Sequence, residues 1–257
     1  MDINYHLIPA WLREAGEIAL EQRKKLQVGY YYDSSPFTNI DRAIELHLVQ
    51  RITALYPHHT ILSEEGGGRK AESPYTWVID PIDGTRAFAC GLPIWGVSVG
   101  LLYQDQPLAG GLYLPVTGEL FWGAEGAAFY NGQPLPAQDG PGIDPRLLFL
   151  AVPSNAHQEY TIRYNRLRSL GSFAAHLAYL CLGAAVGVLS RRFKLWDIAG
   201  VLPVMEAVHV RMVYLSGKPL QLASLLDGRP VEEAIVAAPQ NRLDEVRSWI
   251  SYHPTPG

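Results

Sequence analysis

One stretch, Trp77-Val78-Ile79-Asp80-Pro81-Ile82-Asp83-Gly84-Thr85, limits this chain's folding and chemistry more than any other. Its first part is apolar, rich in β-branched residues and free of turn signals, which reads as a buried strand. The strand ends at Asp-Pro, where the chain has to turn. Pro81 fixes its own φ and biases Asp80 away from helix, so Asp80 and Asp83 can converge on one point. Converging carboxylates repel unless they share a cation. Gly84 and Thr85 lead into Arg86-Ala87-Phe88, a possible helical turn whose free N–H groups would seat an anion beside those acids. Metal plus phosphate is one reading. The other is ordinary turn chemistry, because Asp and Gly supply the hydrogen bonds and permissive φ that tight turns use.

The rest of the chain has to decide between them. Its 257 residues suffice for one large domain or two of ordinary size. Apolar residues at 48% against 18% charged describe a globular chain. A formal charge of −4 gives no basic footprint for a nucleic acid polymer or an acidic membrane, which leaves a small molecule as the expected partner. Cys90 and Cys181 lack paired-ligand spacing, so neither a disulfide framework nor a zinc site is expected. No apolar run reaches the ~18 residues of a membrane span, and the polar amino terminus has no signal-peptide core. The expected setting is cytoplasmic.

Periodicity gives the elements in outline. An amphipathic helix is predicted over Tyr5 to Leu26, a tyrosine-rich loop over Val28 to Phe37 whose rings cap a core edge, and a second helix opened by Asn39 or Asp41 and ended by Pro57. Ile61-Leu62 is a brief strand delivering Ser63-Glu64-Glu65 and three glycines into a loop. Trp95 to Tyr103, Pro107 to Leu114, Glu119 to Trp122 and Ala127 to Tyr130 read as an antiparallel meander. Pro134 to Pro145 is the expected linker between a domain of residues 1–135 and one of residues 146–257. In the second, Leu147 to Val152, Ala185 to Leu189 and Ala234 to Ala238 are predicted strands. Ser154 to Tyr164, Ser172 to Leu182, Trp196 to Val208 and Arg242 to Tyr252 are predicted helices, and His176 on the second of these reads as a packing residue. The expected architecture is layered, with sheets between helices.

Acids stand where loops meet these elements: Asp41 at a helix start, Glu64 at a strand end, Asp80 and Asp83 at the central turn and Asp197 at another helix start. An all-oxygen carboxylate set suits Mg²⁺. Two-metal sites clamp the attacking and leaving oxygens of an in-line displacement at phosphorus.

Four segments, Ser35-Pro36-Phe37-Thr38-Asn39-Ile40-Asp41, Ser63-Glu64-Glu65, Asp80-Pro81-Ile82-Asp83-Gly84-Thr85 and Leu195-Trp196-Asp197-Ile198-Ala199-Gly200, together resemble the inositol monophosphatase family of Mg²⁺-dependent, lithium-sensitive phosphatases. The resemblance implies an α+β or α/β fold, a layered αβαβα sandwich of the inositol monophosphatase and fructose-1,6-bisphosphatase type. It also implies two or three Mg²⁺ ions, a small phosphorylated metabolite as substrate, and a homodimer. By resemblance Glu64, Asp80, the Ile82 carbonyl, Asp83 and Asp197 ligate metal, while Asp41, paired with Thr85, and Glu64 act on the water. Asp83, Gly84 and Thr85 then bind substrate. The chain departs from the family where Val208-His209 replaces the glycine pair usual after the Trp-Asp helix, and in two places that bear on the site, the first on a metal-site contact and the second on substrate. Tyr31 stands where many members carry lysine, and Ser190-Arg191-Arg192 stands where inositol-preferring members often have an acid. Arginines there would accept a second anionic group, as in a bisphosphate or 3′-phosphoadenosine nucleotide. A metal-binding homologue with impaired turnover is the other alternative. A haloacid dehalogenase-like route is disfavoured, because Pro81 occupies its nucleophile position.

Overall fold

The computed structural model describes residues 3–32, 35–139, 144 and 146–253. Helix α1 (Ile8–Gln22) buries Ile8, Trp11, Leu12, Ala15 and Ala19, the helical-period stripe expected of a covering layer. The remainder of the predicted helix is taken by single 3₁₀ turns at Tyr5–Leu7 and Arg23–Lys25. The predicted loop that follows is instead a hairpin of β1 (Val28–Tyr30) and β2 (Pro36–Thr38). Its tyrosines do not cap a core: Tyr30 and Tyr32 are exposed, and Tyr31 reaches Glu65. Helix α2 (Asn39–Leu55) starts from Thr38, whose side chain accepts from the N–H groups of Ile40 and Asp41 while Asp41 bonds back to Thr38 N–H, a reciprocal capping box.

Next come β3 (Thr60–Ser63), β4 (Tyr75–Asp83), the short α3 (Thr85–Cys90), β5 (Gly96–Tyr103), β6 (Gln106–Leu114), β7 (Glu119–Ala124), β8 (Ala127–Tyr130) and β9 (Gln133–Pro134). The seven strands form one sheet in chain order, parallel between β3 and β4 and antiparallel thereafter, so the predicted meander is present. Of the expected linker, residues 140–143 and 145 lie outside the described residues.

Beyond it run β10 (Phe149–Ala151), α4 (Ala156–Glu159), β11 (Tyr160–Ile162), β12 (Leu167–Arg168), α5 (Phe173–Cys181), β13 (Ala185–Ser190), α6 (Trp196–Ala199), α7 (Leu202–Ala207), β14 (Val210–Tyr214), β15 (Ile235–Pro239), α8 (Leu243–Ser248) and β16 (Ile250–Tyr252). A five-stranded sheet has the order β12-β10-β13-β15-β14. Three predicted helices are shorter than expected. Ser154 to Tyr164 yields one helical turn and then β11, and Arg242 to Tyr252 ends at Ser248, because Tyr160–Ile162 and Ile250–Tyr252 pair with each other as strands. Trp196 to Val208 divides at Gly200-Val201, and α7 restarts with Pro203 in its first turn, where a missing N–H costs nothing.

The layers follow from which faces are apolar. Trp77 and Ile79 of β4 face the cluster built with α1 and α2, whereas Val78 faces the cluster shared with α5, α6 and α7. Ile235 and Ala237 of β15 face that same middle cluster, while Val236 and Ala238 face α8 through Val246. Strands buried on both faces read as unbroken apolar runs. The result is helix, sheet, helix, sheet, helix, the expected αβαβα sandwich, and its middle helical layer carries Asp197 to the end of β4.

Candidate metal centre

Bringing Asp80 and Asp83 to one point requires an irregularity, since residues three apart on a regular strand face opposite sides. Asp80 pairs with Ser98 and Asp83 with Gly96, so three steps on β4 oppose two on β5. This bulge at Pro81-Ile82 restores parity and turns both carboxylates the same way. Helix α6 reaches them by close backbone approach: a Cβ on Gly100 of β5 would stand 2.6 Å from the backbone of Ala199. One carboxylate oxygen from each of Asp80, Asp83 and Asp197 then lies within 4.8 Å of the others.

Each acid is held differently. Oδ2 of Asp83 accepts from the Ser172 hydroxyl and from Ala174 N–H at 2.9 Å, both at the start of α5. Oδ2 of Asp197 accepts from Lys194 N–H at 2.6 Å. Asp80 has both oxygens buried with no hydrogen-bond partner. An unpartnered buried carboxylate is costly, and here burial and then the negative charge of Glu64 push its pKa well above the ordinary value. Burial, then the charge of Asp197, raises Asp83 to about 7. Burial raises Asp197 to about 6 against the opposing help of Lys194. Glu64, whose N–H donates to Ile79 O at 3.3 Å, rises to about 8 through burial and the charge of Asp197. Asp80, Asp83 and Asp197 within 4.8 Å of one another, with the charge of Glu64 beside them and Asp80 buried without a donor, match the donor set of a hard divalent cation.

The other predicted residues fall around this centre unevenly. Asp41 is buried at the start of α2, and burial raises it to about 7. Its Oδ2 accepts from Thr38, whereas Oδ1 is buried without a partner. The expected Asp41–Thr85 hydrogen bond is absent: the Thr85 hydroxyl donates to Ile82 O at 3.1 Å, the nearer acceptor one turn back. Gly84 has φ +92°, and a Cβ there would lie 2.7 Å from Gly171 O, so the turn between β4 and α3 admits only glycine without strain. Ser190, buried at the end of β13, lines a cavity of about 490 Å³ with Arg86, Gly171, Ser172, Phe173 and His176. Arg191 does not join the acids, because its guanidinium pairs with Glu159 at 2.8 Å, donates to Glu232 O at 3.1 Å and covers the Tyr252 ring. Arg192 is exposed at φ +60° and lines a separate cavity with Lys194.

Sequence reasoning missed Ser172, Ala174 and Lys194, which hold the acids rather than ligate. Tyr31, singled out because many family members carry lysine there, donates its hydroxyl to Glu65 at 2.6 Å, a partner that its place in the sequence did not give. A Ser opening a helix is a capping signal, but nothing in its spacing points at an acid 89 positions away.

Comparisons with known proteins place the chain beside one family. The family model described as "Inositol monophosphatase family" matches residues 6–247. A fructose-1,6-bisphosphatase/inositol-1-monophosphatase of Aquifex aeolicus is 31% identical over 201 residues, covering 74% of this chain and 75% of its own. Nus factor SuhB of Escherichia coli K12 is 31% identical over 223 residues, covering 81% of this chain and 84% of its own. Among solved structures, the extragenic suppressor protein suhB of Bartonella henselae superposes with a TM-score of 0.81 at 22% identity, covering 95% of this chain and 96% of its own.

Proposed function

The chain belongs to the inositol monophosphatase family, and on that premise we propose that it is a Mg²⁺-dependent phosphomonoesterase acting on a small phosphorylated metabolite. The observation that carries this is Asp80: a carboxylate with both oxygens buried and unpartnered, within 4.8 Å of Asp83 and Asp197 oxygens, calls for a cation. Glu64, Asp80, the Ile82 carbonyl, Asp83 and Asp197 are the groups we assign to hold two or three Mg²⁺ ions. Bound Mg²⁺ supplies polarisation of phosphoryl oxygens and a lowered pKa for coordinated water.

The residues of the chain do the rest. Ser172 and Ala174 hold Oδ2 of Asp83, and the Lys194 N–H holds Oδ2 of Asp197, so both carboxylates are fixed before substrate arrives. The phosphate rests on the N–H groups of Gly84 and Thr85, with the leaving alcohol toward the cavity beside Ser190. With cations bound beside them Glu64 and Asp41 would be ionised, and they are the proton acceptors. Little covalent work is left to side chains, because positioning and charge supply most of phosphoryl-transfer catalysis. No helix of the described residues is long and apolar enough to cross a membrane. Cytoplasmic location, lithium sensitivity and a homodimer are part of the proposal.

The test is phosphate release from a panel of small phosphate esters with Mg²⁺, with EDTA and with added lithium. Release that needs Mg²⁺ and falls with lithium is expected. Saturable Mg²⁺ binding without release from any ester would leave only the impaired metal-binding homologue.

A further inference from the structure

We propose that Ser98 is a positioning residue of the metal centre: with a cation in place, its hydroxyl donates to the Asp80 carboxylate and fixes how that carboxylate meets the metal. This rests on the Mg²⁺-binding part of the reading above and not on the choice of substrate. The other two gathered acids show what Asp80 lacks. Oδ2 of Asp83 is held by the Ser172 hydroxyl and Ala174 N–H, and Oδ2 of Asp197 by Lys194 N–H. Asp80 has no such donor on either oxygen. A hydrogen bond to a ligating carboxylate orients it, and without one the ligand has to be ordered by the cation alone.

Ser98 stands where the missing donor has to be. The register of β4 against β5 pairs it with Asp80. Residues directly opposed across an antiparallel pair share a face, with Cβ atoms roughly 4.5–5.5 Å apart, a gap that a hydroxyl and a carboxylate together span. That face looks toward α6. Val78, two residues before Asp80, packs in the middle cluster, and a Cβ on Gly100, two after Ser98, would lie 2.6 Å from the backbone of Ala199. A Cβ on Gly200 would collide with the Ser98 hydroxyl, so glycine three residues after Asp197 leaves the space that this hydroxyl fills. Ser98 and Asp80 are each 1% exposed, and Ser98 Oγ, like both Asp80 oxygens, is buried without a hydrogen-bond partner. A donor and an acceptor left unpaired side by side in a dry site are costly, and side-chain rotation unites them. A bound cation fixes Asp80 as a carboxylate, the stronger acceptor. Ser63 Oγ is also buried without a partner, but its register partner is Ile79, on the α1 and α2 face of the sheet, so it does not face Asp80.

The test sets Mg²⁺ affinity against stability in the metal-free protein. EDTA-stripped full chain, as wild type and as Ser98→Ala, is titrated calorimetrically with Mg²⁺ at pH 8 and melted in EDTA. The variant should bind Mg²⁺ about tenfold more weakly, about 1.4 kcal/mol, the low end of what losing a hydrogen bond to a metal ligand costs. In EDTA it should melt no lower than wild type, because it deletes a buried hydroxyl that has no partner there. Phosphate release should need about tenfold more Mg²⁺ to reach half its maximal rate, on the same scale, while the rate at saturating Mg²⁺ stays close to that of wild type. A packing role gives the opposite pattern, lower melting in EDTA with Mg²⁺ affinity kept. Equal Mg²⁺ affinity in the two proteins, or weaker binding accompanied by lower melting in EDTA, overturns the assignment of Ser98 alone. No saturable Mg²⁺ binding in wild type overturns the metal centre and this assignment with it.

Discussion

Replacing Asp83 by Asn tests the electrostatics of the centre through stability rather than through rate. The carboxyl is held at about 7 against an ordinary 3.8. The sign follows from linkage: below pH 3.8 the group is protonated in both folded and unfolded chains and adds nothing. Between there and about 7 the folded state binds the extra proton, so stability falls as pH rises through that window. Above 7 the full penalty is present. At about 1.36 kcal/mol for each pKa unit it is roughly 4 kcal/mol in the metal-free protein. Asn is isosteric and its carbonyl oxygen can keep the bonds from Ser172 and Ala174. In EDTA at pH 8, Asp83→Asn should therefore melt higher, on the order of 10 °C by the usual scaling for chains of this size. At pH 4 the two proteins should melt together. Mg²⁺ should raise the melting temperature of wild type by mass action and leave the variant unmoved. A lower melting temperature for the variant in EDTA at pH 8, or an equal gain at pH 4, would refute the reasoning.

Two further outcomes are expected. Gly84→Ala places a Cβ 2.7 Å from Gly171 O at φ +92°, so urea unfolding should show a loss of about 1–3 kcal/mol together with loss of phosphate release. Arg191→Ala should lose about 1 kcal/mol, the upper range for a partly exposed pair, because it breaks the bond to Glu159. Its Mg²⁺-dependent rate should be unchanged, whereas a fall in rate without a fall in stability would return Arg191 to the substrate site.

Much of the site was legible because its parts are local. A β-branched run marks β4, although the strand does not stop at Asp-Pro as expected but runs through a bulge to Asp83, and helix-start acids mark Asp41 and Asp197. The layering of sheets between helices followed from apolar runs alternating with helical periods, and the αβαβα order from the resemblance to the family. What was not legible is non-local. Tyr160–Ile162 and Ile250–Tyr252 are strands only because each has the other, so the sequence of either alone reads as the end of a helix. The hairpin at Val28–Tyr30 was hidden in the same way, since its partner is a separate short segment. Arg191 looked like a phosphate ligand until Glu159 and Tyr252 were seen to occupy it. The bulge between Asp80 and Asp83 was foreshadowed by Pro81, but only its register against β5 shows that both acids end on one side.

The central claim is that Asp80, Asp83, Asp197 and Glu64 are gathered to hold Mg²⁺. Calorimetric titration of EDTA-stripped protein with Mg²⁺ at pH 8 tests it most directly, using wild type beside Asp80→Asn. Saturable binding in wild type that is lost or greatly weakened in Asp80→Asn is the predicted result. Absence of saturable binding in wild type, or equal binding in the variant, would contradict it.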